Sequence, residues 1–241
     1  MGKLIDYIHY GEDYKKKFED WDATEQIIDK DKNQAVYTLR KPGSSFEYVC
    51  LYTDGYFMCI YGDYGTLTFN AMTWRGNIYN LQYDSPDYQM GKLSHESRDS
   101  IKIFDDMECK KDIEEWFDEK LGEYHLSDES EEALSEYIRL YGYDTLFLDE
   151  LFEKRAELKI CQDLLEFVCE AMSNTDSYEW ISFLRRTNFS HIEEECESSL
   201  WHAGERIHQR YYINLLACQI CAKKLTETAE KDVQNSGIKE L

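Results

Sequence analysis

The chain has 241 residues, of which 49 are acidic and 27 are basic, so its formal net charge is −22 at pH 7. This charge argues against direct binding to DNA, RNA or an anionic membrane, because contacts with phosphates need basic side chains. Intrinsic disorder is excluded as well, since 42% of the residues are hydrophobic, 15% are aromatic and only 2 are prolines. Composition therefore predicts a soluble, acidic, globular protein with a sizeable core.

The first part of the chain has the pattern of an antiparallel sheet. Residues 1–32 form a polar lead, which we expect to be partly helical at 13–20. Residues 33–104 then contain short runs rich in aromatic and β-branched residues, which predict a meander of at least four strands. The strands are predicted at 35–39, 46–52, 56–61 and 66–69. Asp54-Gly55 and the segment 62–65 provide the tight turns between them.

The second part of the chain has helical periodicity. Apolar residues recur at helical spacing, and Asp176 with Glu179 forms a capping box at the start of one helix. Helices are predicted at 105–121, 130–140, 147–172, after Asp176, and 198–226. Residues 227–241 are predicted to be a polar tail. The fold class is therefore α+β: a sheet at 33–104 packed against a helical region at 105–226, with one continuous core.

The eight cysteines favour neither disulfides nor zinc. Most lie within apolar runs, which is typical of free thiols that pack as small hydrophobic side chains. Cys218 and Cys221 form a CxxC pair, but no second ligand pair completes a zinc site, so we expect no metal and no cofactor. The first residues lack the apolar segment of a secretory signal, and no apolar run is as long as a membrane span. These features together predict a cytoplasmic protein.

The negative charge is concentrated in the middle of the chain. Residues 104–170 have 22 acidic and 7 basic residues, a net charge of −15, against −4 for residues 1–103 and −3 for residues 171–241. Spacing by four, three and four residues aligns four acids on one stripe of the first helix: Glu108, Asp112, Glu115 and Glu119. Five more acids crowd the next helix: Asp128, Glu129, Glu131, Glu132 and Glu136.

Two interpretations of this acidity remain open. The acids can form a solvated face that only serves solubility, or they can imitate the phosphate row of a nucleic acid and dock into a basic cleft by electrostatic steering. If the acids are only a solvated face, an aromatic surface of the sheet is the alternative binding site. Its candidate residues are Tyr52, Tyr56, Tyr61, Tyr64 and Trp74.

No catalytic motif is legible. The glycine-bearing segment 62–65 lacks the Lys-Ser/Thr of a phosphate loop and joins two strands, so we interpret it as a turn. Asp54 and Asp63 occupy turn positions that aspartate fills for local hydrogen bonding. His202 and His208 share the last predicted helix, but six residues separate them, and two ligands on one helical face need a spacing of three or four. We therefore expect a non-enzymatic protein, with a site formed only in three dimensions as the alternative.

One segment resembles a known group of proteins. Residues 62–69, Gly-Asp-Tyr-Gly-Thr-Leu-Thr-Phe, are similar to the GDxGTxxF strand–turn–strand of an uncharacterised family encoded by phages and prophages. The likeness extends over most of residues 46–225, including the segments 101–105, 178–180 and 210–218. The resemblance implies a phage or mobile-element origin. By analogy with other small acidic proteins of that origin, it implies a stoichiometric inhibitor of bacterial defence, of the anti-CRISPR kind.

The sequence therefore predicts a non-enzymatic inhibitor that acts in the host bacterial cytoplasm. Its partner would be a basic nuclease or CRISPR effector that binds nucleic acid, and the acidic helices would occupy the nucleic-acid channel. The first alternative is an interaction protein with an unrelated partner. The second alternative is an enzyme with a cryptic site. A homodimer through an apolar stripe of the 200–225 helix is considered beside burial of that stripe inside the chain.

Overall fold

The fold is α+β, with an antiparallel sheet in the N-terminal half and helices in the C-terminal half. The structure is a computed structural model and describes residues 2–54, 56–70, 78, 85–187 and 200–235. The chain divides into two compact units: unit 1 comprises Met1–Lys102 and Ile207–Leu241, and unit 2 comprises Ile103–Arg206. Buried side chains form two clusters, one in each unit, instead of the single continuous core that the sequence predicted.

The sheet of unit 1 is a five-stranded antiparallel meander in the order β1-β2-β3-β4-β5. Its strands are β1 Asp22–Asp29, β2 Gln34–Arg40, β3 Tyr48–Thr53, β4 Phe57–Gly62 and β5 Leu67–Asn70. Side chains alternate between the two faces: Ala35, Tyr37 and Leu39 are buried, and the residues between them are only partly buried. The four strands predicted from the sequence are confirmed to within two residues at each end.

The N-terminal lead differs from the prediction, because 22–29 is a strand. The helix expected at 13–20 is confirmed as α2 Gly11–Glu19, and a short helix that was not predicted, α1 Gly2–Ile5, precedes it. β1 is the edge strand and is largely exposed on both faces, so it lacks the alternation of apolar residues that marks a half-buried strand. The sheet was predicted to extend to 104, but among the described residues its last strand ends at Asn70. Two short helices follow in the described residues, α3 Pro86–Met90 and α4 His95–Ser100.

The last helix, α10, runs through the core of unit 1. It spans Gln209–Asn235, and every residue from Tyr211 to Ala222 is buried. The predicted start at 198 is wrong, because Gly204 has a φ of 76° and a short strand, β7 Glu205–Ile207, precedes the helix. The predicted polar tail is helical through Asn235. Since 211–222 is buried on all sides, the apolar part of the helix is covered within the chain.

Unit 2 is built from helices. After the short strand β6 Lys102–Phe104, which pairs with β7, the helices are α5 Asp106–Gly122, α6 Asp128–Tyr141, α7 Leu148–Lys154, α8 Gln162–Ser173 and α9 Ser177–Arg186. Asp176 is confirmed as the N-cap of α9, since its carboxylate accepts hydrogen bonds from the backbone N–H groups of Tyr178 and Glu179. The single helix predicted at 147–172 is wrong. Arg155 has a non-helical backbone, with φ −136° and ψ 79°, and the 3₁₀ turn Ala156–Cys161 follows, so the segment forms two helices.

Candidate functional site

Helix α5 presents its acidic residues on the side away from its buried residues. Asp105 caps the helix by accepting hydrogen bonds from the N–H groups of Met107 and Glu108, at 3.0 and 3.1 Å. The buried residues of this helix recur at helical spacing: Cys109, Ile113, Trp116 and Phe117. At 100° per residue, the stripe from Glu108 to Glu119 points about 115° away from the centre of these side chains.

The first half of the acidic stripe is bound within unit 2. The guanidinium of Arg206 donates to the carboxylates of Glu108 and Asp112, each at 2.7 Å, and the N–H of Gly204 donates to Asp112 at 2.8 Å. Burial opposes the charge of Asp112, but the hydrogen bonds from Arg206 and Gly204 outweigh it and lower the pKa of this carboxyl. The same contacts, first of all the hydrogen bond to Asp112, raise the pKa of Arg206. Glu108 and Asp112 therefore hold the fold together and are not a free docking surface.

The other two acids of the stripe, Glu115 and Glu119, are not bound by Arg206. Glu115 is exposed and lies 3.6 Å from Lys111, and Glu119 is exposed with no ion-pair partner in the described residues. Glu114 and Asp118 are exposed on the adjoining side of α5 and also lack a described counter-ion. The carboxylates available to a partner on this helix are thus Glu114, Glu115, Asp118 and Glu119.

Helix α6 exposes all five of its predicted acids. Its buried face consists of Ser130, Leu134 and Tyr137. Two of the acids have a basic neighbour: Glu129 lies 3.0 Å from Arg155, and Glu136 lies 3.7 Å from Arg139. The other three have no ion-pair partner among the described residues: Asp128, Glu131 and Glu132. Basic side chains therefore neutralise only part of the negative charge on this helix.

The aromatic residues predicted to form one surface lie in different places, and only two of them share a face of the sheet. Cys50 pairs with Tyr61 and Tyr52 pairs with Cys59, so Tyr52 and Tyr61 lie on the same face, opposite the buried side chains of the sheet. Tyr48 is on this face as well, with its ring 6.4 Å from that of Tyr61. The hydrogen bond with Cys50, together with burial, raises the pKa of Tyr61 to about 12. A shared tyrosine surface is therefore present on the sheet.

The remaining aromatic candidates lie elsewhere. Tyr56 is 77% exposed in the turn between β3 and β4. Tyr64 does not belong to the surface, because its ring packs against Tyr14 and Phe18 and its hydroxyl accepts a hydrogen bond from Lys17. Trp74 lies outside the described residues.

The turn at 62–65 is structural. Gly62 has a φ of 144°, and a Cβ there would collide with the carbonyl oxygen of Tyr48. The Asn214 side chain on α10 donates to the carbonyl of Tyr64 at 3.1 Å, which attaches the turn to the core helix. The Asp54 carboxylate accepts hydrogen bonds from the N–H groups of Tyr56 and Phe57. The interpretation of both segments as turns is confirmed.

The described cysteines are free, and six of the seven are buried. Burial raises the pKa of the Cys109 and Cys221 thiols to about 12, and it raises the pKa of Cys218 well above its ordinary value. Buried thiols with raised pKa values are poor nucleophiles and poor metal ligands. Among the described residues, no group of three or more histidine, cysteine or acidic side chains is placed to hold a metal ion. Cys196 lies outside these residues.

A groove between α6 and α7 was not predicted from the sequence. A cavity of about 470 Å³ opens between these helices. It is lined by Ala133, Glu136, Tyr137, Leu140, Tyr141, Phe147, Glu150, Leu151, Lys154 and Arg155. Helical periodicity places these residues on two helices, but it does not show that the two helices pack side by side with a gap between them.

Comparison with known proteins adds no relative. No protein-family model matches the chain, and no curated protein and no solved structure matches it significantly. The likeness of residues 46–225 to phage-encoded proteins therefore stays a prediction. In the part of the chain that the structure describes, no helix is both long and apolar enough to cross a membrane.

Proposed function

We propose that this chain is a non-enzymatic binding protein that occupies a basic, nucleic-acid-binding surface of a partner protein through the exposed acids of α5 and α6. The observation that carries the proposal is the excess of uncompensated carboxylates on these two helices. Six exposed acids there have no ion-pair partner within the described residues: Glu114, Asp118, Glu119, Asp128, Glu131 and Glu132.

This arrangement of acids costs the folded chain free energy. Like charges one helical turn apart destabilise a helix by a few tenths of a kcal/mol per pair. Glu114 with Asp118 and Glu115 with Glu119 are two such pairs on α5. A basic partner surface relieves this repulsion, and the field of the acids accelerates encounter with it over a Debye length of about 8 Å at physiological salt.

The narrower form of the proposal names the class of partner. A row of exposed carboxylates competes with a phosphate backbone for the same arginine and lysine side chains. The resemblance to phage-encoded proteins suggests that the partner is a bacterial defence complex that binds nucleic acid, such as a nuclease or a CRISPR effector, in the host cytoplasm. Inhibition would then be stoichiometric, because the chain only covers the site.

The test uses purified bacterial nucleases and CRISPR effectors, each loaded with a fluorescent nucleic-acid ligand. Displacement of the ligand by the wild-type chain is measured by anisotropy over a range of salt concentrations. We expect displacement from at least one of these proteins, saturation at a fixed stoichiometry, and weakening as salt rises. If one molecule of the chain displaces many molecules of the nucleic-acid ligand, the chain turns over and is an enzyme.

A matched pair of variants separates the acidic helices from net charge. The test variant replaces four exposed acids of α5 and α6: Glu115→Gln, Glu119→Gln, Glu131→Gln and Glu132→Gln. The control removes the same charge elsewhere: Glu19→Gln, Glu25→Gln, Glu96→Gln and Glu230→Gln. We expect association to slow roughly tenfold or more for the first variant, and much less for the control. If both variants associate with the partner at the same rate, the acids of α5 and α6 serve solubility alone.

The tyrosine surface of the sheet supports a second candidate, an interaction protein with an unrelated partner. Tyrosine is enriched at protein interfaces, because its ring contributes a large contact area at low entropic cost. Tyr48, Tyr52 and Tyr61 share one face, and Tyr61 is 37% exposed. Tyr52→Ser with Tyr61→Ser tests this surface: loss of binding in that variant, with binding retained in the α5–α6 variant, favours the second candidate.

A further inference from the structure

The sheet of unit 1 has a further cavity, on the face opposite its buried side chains. The volume of this cavity is about 370 Å³, which lies within the range of sites for small molecules. It is lined by Asp22 and Thr24 of β1, by Thr38 and Arg40 of β2, and by residues 41–43 of the loop that follows β2. We call it the β1–β2 cavity. It shares no residue with the acids of α5 and α6, because its lining belongs entirely to unit 1.

Two opposite charges line this cavity without neutralising each other. In the antiparallel register Asp22 lies opposite Arg40, and Thr24 lies opposite Thr38, so the four side chains share one face of the sheet. The Cα atoms of directly opposed residues are only about 4.5–5.5 Å apart, and opposite charges at such positions attract. Nevertheless, Asp22 and Arg40 form no ion pair, either with each other or with another residue that the structure describes. Each therefore presents an unpaired charge to the cavity.

The position of Arg40 is explained by its neighbour on β3. Arg40 lies opposite Tyr48, and its guanidinium lies over the Tyr48 ring, 5.3 Å from the centroid. An arginine that stacks on a ring can still donate two parallel hydrogen bonds to a carboxylate. The other base of the lining, Lys41, is already bound, because its ammonium contacts the carboxylate of Glu47. The cavity thus has one cation and one carboxylate that remain available to a ligand.

The rest of the lining is ordered and polar. The N–H of Ser44 donates to the carbonyl of Lys41 at 3.1 Å, and the N–H of Lys41 donates to the carbonyl of Glu47 at 3.0 Å, so the loop wall is a closed turn. The Thr38 hydroxyl shares a hydrogen bond with the Cys50 thiol. The hydroxyl of Thr24 has no hydrogen bond to another described residue. A ligand therefore meets a preformed wall and a free hydroxyl beside the two charges.

The pair of charges selects the chemical class of the ligand. An anion would lie against the carboxylate of Asp22, and a cation would lie against the guanidinium of Arg40. An apolar ligand would remove both charges from water without giving either a partner, which costs free energy. Only a zwitterion gives a partner to each. Because the two charged side chains start from directly opposed positions, the charges of the ligand must lie close together, as they do when ammonium and carboxylate share one carbon.

We propose that the β1–β2 cavity binds a free α-amino acid. The guanidinium of Arg40 donates to the carboxylate of the ligand, and the ammonium of the ligand donates to the carboxylate of Asp22. The Thr24 hydroxyl donates to the same ligand carboxylate, and the ligand side chain lies along residues 41–43. This site does not depend on the proposed function, which concerns the acids of α5 and α6, so failure of either leaves the other standing.

Calorimetric titration of the full chain with glycine, leucine, phenylalanine and glutamine tests the proposal. Two analogues of the amino acid that binds most tightly each lack one charge: the amide lacks the carboxylate, and the N-acetyl derivative lacks the ammonium. We expect one site per chain, and binding of both analogues at least about tenfold more weakly than the parent amino acid. If either analogue binds as tightly as the parent, one of the two charges is not used and the proposal is wrong. It is also wrong if none of the four amino acids binds.

Two pairs of variants locate the site. Asp22→Asn and Arg40→Gln each remove one charge of the cavity, whereas Asp31→Asn and Arg185→Gln remove the same charges from exposed residues that do not line it. We expect about tenfold weaker binding in each of the first two variants and no change in the controls.

The analogues then show whether each side chain binds the group assigned to it. Asp22→Asn should bind the parent amino acid and its N-acetyl derivative with similar affinity, and Arg40→Gln should do the same with the amide. A general disturbance of the sheet would weaken all ligands equally and would not remove these preferences. Unchanged binding of the parent in Asp22→Asn or in Arg40→Gln, or preferences that both variants retain, would overturn the proposal.

Discussion

The guanidinium of Arg206 lies 2.7 Å from the carboxylate of Asp112, although 94 positions separate the two residues in the sequence. A second carboxylate, that of Glu108, lies at the same distance from Arg206. Gly204 completes the arrangement, because a Cβ there would lie 2.8 Å from Cys109, so only glycine lets the backbone approach α5. These contacts fix the segment 204–206 against the first turns of α5 within unit 2.

The first prediction concerns the stability of this ion pair. Replacing Arg206 with Met leaves two carboxylates without their partner, so we expect the free energy of unfolding to fall by roughly 1–2 kcal/mol. Asp112→Asn should produce a smaller loss, because the amide still accepts the hydrogen bond from Gly204. A double-mutant cycle in urea measures the coupling between the two residues. Additive effects of the two substitutions would show that the pair contributes no energy of its own.

The second prediction is the pH dependence of the same pair. The pKa of Asp112 is lowered in the folded chain, from an ordinary value of 3.8. Asp112 therefore stabilises the fold fully above its unfolded pKa, and this stabilisation is lost as the pH falls through the lower, folded pKa. We expect the difference in free energy of unfolding between wild type and Asp112→Asn to shrink from pH 6 to pH 3. A difference that is constant over this range would mean that the pKa of Asp112 is not perturbed.

The sequence predicted those parts of the fold in which the local pattern and the tertiary environment agree. Strands β2 to β4 have aromatic or β-branched residues on a half-buried surface, and Asp176 is an N-cap that was predicted from the acid three residues later. β1 was missed because an exposed edge strand needs no apolar alternation. The break at Arg155 was missed because no glycine or proline occurs between 147 and 172.

The candidate site could be predicted only in part, for a similar reason. Helical spacing correctly placed Glu108, Asp112, Glu115 and Glu119 on one stripe of α5. Spacing cannot show that Arg206, far away in the sequence, binds the first two of these acids. It also aligned Leu200, Gly204 and Ile207 with the last helix, although the positive φ of Gly204 ends any helix there. The four acids of the α5 stripe are equivalent in the sequence pattern, but tertiary contacts bind two of them and leave the other two exposed.

The third prediction compares two glycines of the same turn. Gly62 and Gly65 both have positive φ, at 144° and 85°, but only at Gly62 does a Cβ meet the backbone, at the carbonyl of Tyr48. We expect Gly62→Ala to lower the free energy of unfolding by about 3 kcal/mol, because the strand must shift. Gly65→Ala should lower it by only about 1 kcal/mol, the cost of the left-handed backbone. Urea denaturation of both variants gives the comparison, and a smaller effect at Gly62 than at Gly65 would contradict this geometry.

The fourth prediction concerns the thiols. Six described cysteines are buried, and burial raises the pKa of Cys109, Cys161, Cys169, Cys218 and Cys221. Native protein at pH 8 should therefore react quickly with a thiol reagent at no more than two of its eight cysteines, because the six buried ones are protected. In the denatured chain all eight should react. The thermal midpoint should be the same with and without reductant. Rapid reaction of four or more thiols in the native protein would contradict the burial of these six cysteines.

The last prediction follows from the division of the acidic stripe between structure and surface. Glu108→Lys with Asp112→Lys places two lysines against Arg206, so we expect a loss of roughly 3 kcal/mol or more in the free energy of unfolding. Glu115→Lys with Glu119→Lys changes the net charge by the same amount. It should change stability by only about 0.5 kcal/mol, because both side chains are exposed and lysine suits the C-terminal half of a helix.

This pair of double variants also decides how binding experiments are to be interpreted. Reversal of the whole stripe would abolish binding by unfolding unit 2, even if the acids never touched a partner. Only the 115/119 variant changes the surface of a chain that remains folded, so only its effect on binding reports on docking. Far-ultraviolet circular dichroism and urea denaturation of both variants provide the check. If the 108/112 variant is as stable as wild type, Arg206 does not depend on these acids, and the entire stripe becomes available to a partner.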